Sequence, residues 1–131
     1  MLESRRVRDF MTSNLVKLDP DMEITHAVHK LVKHDIAGAP VVDKEGRLVG
    51  MLTEKDCMKI ALDVGYYGEY GGKVAAFMST EVETIDPDEG IVEAAKRFLQ
   101  KRYHRYPVVR DGRLVGQISR RDVLRALDSI W

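Results

Sequence analysis

The chain repeats itself, and no other feature limits its fold as strongly. The stretch VRDFMTSNLVKLDPD, starting at Val7, aligns with VAAFMSTEVETIDPD, starting at Val74, at an offset of 67 residues. Phe10-Met11 falls on Phe77-Met78, and Asp19-Pro20-Asp21 falls on Asp86-Pro87-Asp88. Further on, APVVDKEGRLVGMLTEKD aligns with YPVVRDGRLVGQISRRD. Pro40 keeps the offset of 67 to Pro107, whereas Gly46, Gly50 and Asp56 meet Gly112, Gly116 and Asp122 at 66. The missing residue lies in a turn. Asp111-Gly112 between two apolar runs signals a two-residue hairpin. Lys44-Glu45-Gly46 makes the same connection with one residue more, its glycine placed for positive φ.

Each repeat reads as strand, helix, strand, strand, helix. Val16-Lys17-Leu18 and Glu83-Thr84-Ile85 are the expected first strands. Asp19-Pro20 and Asp86-Pro87 then predict helix starts, with Asp as N-cap and Pro at the first helical position. Asp86 with Glu89 fits a capping box. Ile24, Ala27, Val28, Leu31 and Val32 recur at helical spacing, as do Ile91, Ala94, Ala95, Phe98 and Leu99. The hairpins are Val41-Val42 with Leu48–Leu52, and Val108-Val109 with Leu114–Ile118. Thr53 and Ser119 open the closing helices, with Asp56 and Asp122 at the third helical position. The motifs span 7–62 and 74–127. Residues 63–73 between them hold four glycines and three tyrosines, and read as a linker.

Composition narrows the function. The 131 residues carry 21 basic and 21 acidic side chains, for a formal net charge of zero. A dedicated nucleic-acid binder shows a basic excess, so the balance argues against nucleic acid. No run approaches the ~18 apolar residues of a membrane span. The start, MLESRRVRDFM, carries charges where a signal peptide needs an apolar run, so the expected location is cytoplasmic. A single cysteine, Cys57, excludes an internal disulfide and an all-cysteine zinc site. His26 and His29 lie three apart on a helix with no third ligand in view, so no metal site is expected. Catalytic residues are not expected either: no Ser-His-Asp set, P-loop or dinucleotide-binding glycine pattern is present.

The tandem repeat, the FMT/FMS start, the DPD turn, the PVV hairpin closing on R-L-V-G and the [TS]-x-x-D helix start resemble a pair of CBS domains, the cystathionine-β-synthase type. The resemblance covers nearly the whole chain. It implies an α+β fold: two β-α-β-β-α repeats packed sheet to sheet with pseudo-two-fold symmetry. It implies a regulatory module, generally dimeric, that binds adenosine compounds in the clefts between motifs. The expected ligand is AMP, ADP or ATP, with S-adenosylmethionine or NAD(H) as alternatives and no obligatory cofactor. The expected partners are a second copy and an unknown regulated protein, with no membrane.

The residues themselves offer the chemistry. Thr53-Glu54-Lys55-Asp56 opens a helix, where free N–H groups and the helix dipole favour a phosphate. Thr53 adds a hydroxyl and Lys55 a charge. Asp56 can accept hydrogen bonds from both ribose hydroxyls. Ser119-Arg120-Arg121-Asp122 repeats the arrangement with two arginines suited to phosphate oxygens. The same pattern also serves as a plain helix cap, and the sequence leaves both readings open. His104-Arg105 before Tyr106-Pro107 resembles the phosphate-contacting stretch of the γ subunits of the AMP-activated kinase. The first repeat has Ala37-Gly38-Ala39 there, so unequal sites are expected. By family analogy the adenine slot draws on Thr12, Ser13, Val16, Ile36 and Ala37, and on Thr80, Val82 and Tyr103. The alternative function is a dimerisation or interaction module whose pocket is vestigial.

Overall fold

The computed structural model describes the backbone of residues 1–67 and 71–131, and the side chains of these except 63–67. In chain order the main elements are α1 (Val7–Phe10), α2 (Ile24–Lys33), β1 (Gly38–Val42), β2 (Leu48–Thr53), α3 (Glu54–Tyr67), α4 (Val74–Phe77), α5 (Ile91–Gln100), β3 (Arg105–Arg110), β4 (Arg113–Ser119) and α6 (Arg120–Asp128). The fold is α+β, with β1 antiparallel to β2 and β3 antiparallel to β4.

The compact units are not cut where the repeats are. One unit is Val16–Val82, and the other joins Met1–Leu15 to Glu83–Trp131. Each repeat therefore gives its leading helix to the unit built on the other repeat. Backbone hydrogen bonds make the exchange. Val7 N–H donates to the Glu89 carbonyl and Arg8 N–H to the Pro87 carbonyl, both at 2.9 Å, and Ile91 N–H donates to the Arg5 carbonyl at 2.9 Å. The Val16–Val82 unit repeats the set: Val74 to Met22 at 2.9 Å, Ala75 to Pro20 at 3.0 Å and Ile24 to Gly72 at 2.9 Å. Val7 and Val74 are each fully buried in the unit they join.

Equivalent positions fill the two cores. Leu18, Ile24, Ala27, Leu31, Ala39, Val41, Leu52 and Val74 form one. Ile85, Ile91, Ala94, Phe98, Tyr106, Val108, Ile118 and Val7 occupy the matching places in the other, with Ala126 added. The largest difference is aromatic: Phe98 and Tyr106, 5.0 Å between ring centroids, stand where the first repeat has Leu31 and Ala39.

Both turns form as the sequence predicts. Asp111 and Gly112 have φ of 54° and 80°, the double positive φ of a primed hairpin turn, and Gly46 has φ of 80°. Asp43 Oδ1 accepts from the Glu45 and Arg47 amides, both at 2.9 Å, which braces the longer loop. Two other expectations change. The Asp-Pro-Asp segments are turns and not helix starts: Asp19 Oδ1 takes the Asp21 amide at 2.7 Å and Asp86 Oδ1 the Asp88 amide at 2.8 Å. The helices begin later, after Glu23 and Gly90, and the proposed Asp86–Glu89 capping box does not form at the start of α5. An aspartate side chain competes well for its own downstream backbone, and here that bond wins. The expected first strands shorten to single bridges, Leu18 with Val41 and Ile85 with Val108, both parallel.

The linker also begins later than its glycines suggest, since α3 continues to Tyr67. One internal glycine, Gly65, is not enough to stop a helix. The side chains of Tyr66, Tyr67 and Tyr70 lie outside the described residues.

Gly50 and Gly116 show why the repeat keeps glycine inside a strand. The segment after each short helix crosses the strand at this point, where Met51 bridges Ser79 and Gln117 bridges Thr12. A methyl group on Gly50 would lie 2.6 Å from Met78 Sδ and 2.8 Å from the Ser79 carbonyl oxygen; on Gly116 it would lie 2.7 Å from Met11 Sδ and 2.9 Å from the Thr12 carbonyl oxygen. A methionine tail can move, but a backbone oxygen paired to the strand cannot. Gly50→Ala and Gly116→Ala should each destabilise folding by about 1–3 kcal/mol, read by urea unfolding. A change under about 0.5 kcal/mol at either would show that the crossing segment yields.

Candidate functional site

The closing helix of each unit starts with the same closed ring of hydrogen bonds. The Thr53 amide donates to Asp56 Oδ2 at 2.9 Å, the Thr53 hydroxyl donates to the same oxygen at 3.0 Å, and the Asp56 amide donates to Thr53 Oγ1 at 3.2 Å. In the other unit the Ser119 amide and hydroxyl reach Asp122 Oδ2 at 2.8 and 3.1 Å, and the Asp122 amide reaches Ser119 Oγ at 3.3 Å. Asp56 and Asp122 are each only 7% exposed, the buried charged residues among those described. A short strand feeding straight into a helix puts each carboxylate one turn in, folded back over its own cap.

The caps use some of the donors that the sequence offered to a phosphate. The first amide of α3, on Glu54, donates to the Ala37 carbonyl at 2.9 Å, and that of α6, on Arg120, to the His104 carbonyl at 3.1 Å. The third amide of each helix goes to the cap hydroxyl. A bound anion would thus draw on side-chain cations beside these helix starts more than on open backbone. The same two bonds bring Ala37 next to Thr53-Asp56, and His104 next to Ser119-Asp122.

The remaining candidates divide between the units. Thr53, Lys55, Asp56, Val16, Ile36, Ala37, Thr80 and Val82 belong to Val16–Val82. Thr12, Ser13, Tyr103, His104, Arg105, Ser119, Arg120, Arg121 and Asp122 belong to the other. Thr12 is set down beside β4 by a mutual pair of bonds with Gln117, 2.9 Å in each direction, two residues from Ser119. Thr12 and Ser13 are exposed, as are Ala37, Lys55, Thr80, His104, Arg120 and Arg121; Val16, Ile36, Val82 and Arg105 are half-buried. Tyr103, 47% exposed, packs edge-on against Tyr106 at 5.5 Å. Arg97 lies over the Tyr106 ring at 5.6 Å, and burial pushes the Tyr106 phenol above its usual range.

Sequence reasoning passed over three groups. Arg125 donates to Asp122 Oδ1 at 2.8 Å, so that carboxylate has a cationic partner one turn further along α6. Gln117 brings Thr12 to the helix start. Arg110, at the end of β3, pairs with Asp86 at 3.2 Å and also with Asp88, to which Arg8 is paired as well. Spacing could have flagged Arg125, which follows Asp122 by three residues on one helical face. The other two depend on chain crossings that no local pattern reports. Among the described residues no cluster of three His, Cys, Asp or Glu side chains could hold a metal ion, and His26 and His29 are exposed. Among them, too, no helix is long and apolar enough to cross a membrane.

A family model described as CBS domain matches residues 7–63 and again 74–129. The crystal structure of CBSX2 in complex with AMP has 29% sequence identity and a TM-score of 0.83, over 95% of this chain and 97% of that one. That of the CBS domain pair of protein MJ0100 in complex with 5′-methylthioadenosine and S-adenosyl-L-methionine has 27% identity and a TM-score of 0.75, over 97% of this chain and 98% of that one. The CBS domain-containing protein YhcV of Bacillus subtilis is 32% identical over 118 residues, 89% of this chain and 81% of YhcV. Other relatives are longer: the chain spans 44% of the uncharacterized protein MJ1225 of Methanocaldococcus jannaschii, at 30% identity, and 14% of the A-adding tRNA nucleotidyltransferase of Aquifex aeolicus, at 31%.

Cys57 follows Asp56 at the start of α3, where the helix dipole alone would favour a thiolate. Burial, with the neighbouring Asp56 and Glu54 charges, pushes the thiol up from its usual range. The labelling rate of Cys57 by a maleimide should therefore rise with pH through a midpoint above that of a free cysteine. A midpoint at or below the free value would show that the dipole wins.

Proposed function

Because the chain belongs to the CBS-domain family, we propose that it is a cytoplasmic regulatory module that binds an adenosine nucleotide (AMP, ADP or ATP) and signals its occupancy to a partner protein. The observation that carries this reading is the pair of buried cap carboxylates, Asp56 and Asp122, at equivalent places in both repeats. An ordinary cap needs only the Ser or Thr. A buried carboxylate held beside it, with Oδ2 taken by the cap and Oδ1 left out of that ring, suits the vicinal hydroxyls of a ribose, since it can only accept. AMP in the CBSX2 structure, and 5′-methylthioadenosine with S-adenosyl-L-methionine in that of MJ0100, point to the adenosyl class. Lys55, Arg120, Arg121, His104 and Arg105 would meet phosphates; Thr53 and Ser119 would do so only by giving up the hydroxyl bonds to Asp56 and Asp122. Thr12, Ser13, Val16, Ile36, Ala37, Thr80, Val82 and Tyr103 would frame the base. The cation-rich second repeat favours a higher phosphate count than the first. As a sensor it should return its bound nucleotide unchanged after prolonged incubation.

Thermal unfolding with and without 1 mM nucleotide tests the reading. A dissociation constant near 10 μM adds about 2.7 kcal/mol, a shift on the order of 10 °C. Asp122→Ala should weaken binding by about 1.5–3 kcal/mol, read as the loss of the ligand-induced shift, not as a lower starting Tm. No shift with AMP, ADP, ATP, S-adenosylmethionine or NADH would favour the interaction-module reading instead.

The module acts as a dimer of opposed faces. Val32, Met58, Leu99 and Leu124 are 74%, 63%, 87% and 59% exposed. Val32 and Leu99 are equivalent in the repeat, and both escape the apolar stripe that periodicity assigned them. Between α5 and α6 the groove carries Phe98, Leu99, Val123 and Leu124 with Lys101, Arg102 and Arg120. Between α2 and α3 it carries Leu31, Val32, Ile36 and Met58 with Asp35 and Glu54. Like faces would oppose like charges, whereas basic-lined against acidic-lined is complementary. In a Cys57→Ser background, proteins carrying Met58→Cys or Leu124→Cys should form disulfide-linked dimers when mixed, and few alone. Linkage of each variant alone would show that like faces meet.

A further inference from the structure

The two cap carboxylates are built alike but are not equally occupied. Each spends Oδ2 on its own cap. Asp122 Oδ1 also accepts from Arg125 Nη2 at 2.8 Å, and the same nitrogen donates to the Phe10 carbonyl at 2.8 Å. The repeat offset places Lys59 on α3 where Arg125 stands on α6. Among the described residues, the hydrogen bonds that the Asp56 carboxylate accepts are those from Thr53, both on Oδ2.

We propose that Arg125 is a latch that makes the two candidate sites fill in order. This deepens the nucleotide reading and rests on it. A ribose diol needs carboxylate lone pairs. Asp56 offers Oδ1 directly. Asp122 offers it only after the guanidinium has left, breaking a charge-assisted bond. The latch is weak enough to open, because the Arg125 side chain is 57% exposed. Only the arginine end is exposed, the Asp122 side chain being 9% exposed, and a pair that keeps solvent access at one end shifts an equilibrium by about 1.5- to 5-fold. The Phe10 carbonyl gives Arg125 somewhere to stay when it lets go, so release does not require the side chain to enter bulk water. The latch opposes the phosphate preference of the arginine-rich unit. It therefore shows most clearly with a ligand of few charges.

Calorimetric titration of the full chain with AMP reads the order. The wild type should bind in two unequal steps. Arg125→Ala should tighten the weaker step about 1.5- to 5-fold and leave the stronger one unchanged. Lys59→Arg should weaken the stronger step by a similar factor. With 2′-deoxy-AMP, which lacks one of the two hydroxyls, the gain in Arg125→Ala should shrink. If Arg125 only fastened α1, its loss would weaken binding or lower stability and could not tighten a step. Two equal steps in the wild type, or no gain in a folded Arg125→Ala protein, would overturn the latch while leaving the nucleotide reading intact. No binding of AMP to the wild type would overturn that reading, and the latch with it.

Discussion

Everything in this fold depends on one exchanged hydrogen bond, made twice. The Val7 amide donates to the Glu89 carbonyl, and the Val74 amide to the Met22 carbonyl, each at 2.9 Å. Each bond ties the head of one repeat to the turn of the other. Neither compact unit is then the product of one repeat alone. The exchange buries Val7 and Val74 completely and brings Met11-Thr12 and Met78-Ser79 across the strands at Gly116 and Gly50. Those glycines are required by contact, not by φ, because a backbone oxygen occupies the place of a Cβ.

The candidate site follows from that crossing. Once Thr12 is paired to Gln117, the strand beyond runs directly into Ser119 and its cap. The cap fixes Asp122, and the matching strand fixes Asp56. Two buried carboxylates are expensive unless hydrogen-bonded. Each is held by an amide and a hydroxyl of its own cap. The divergence between units comes afterwards, from residues around this shared frame. Arg125 is set against Lys59, His104-Arg105 against Ala37-Gly38, and the aromatic pair Phe98–Tyr106 against Leu31 and Ala39. Duplication supplies the frame, and substitution makes its two copies unequal.

Much of this was legible in the chain. The repeat offset, the one-residue gap at Asp111-Gly112, both hairpins and both [TS]-x-x-D caps are local features, governed by turn geometry and nearby hydrogen bonds. They appear in the structure as read. The Asp-Pro-Asp segments were misread because aspartate serves a helix cap and a tight turn equally well, and only the surrounding backbone selects between them. Val32 and Leu99 match helical periodicity as well as Leu31 and Phe98 do. Their exposure depends on which arc of the helix meets a sheet, and periodicity cannot report how wide that arc is.

The sequence by itself determined the repeated α+β unit, its turns and the carboxylate at each closing helix, because each is set by residues within a few positions of one another. Only the tertiary structure decided that α1 packs with the second repeat and α4 with the first. It alone placed Gly50 and Gly116 under a crossing backbone and brought Arg125 to the Phe10 carbonyl. Those outcomes rest on contacts between residues up to 115 positions apart. At such distances the chain's local preferences no longer choose the partner, and the packing of the whole unit does.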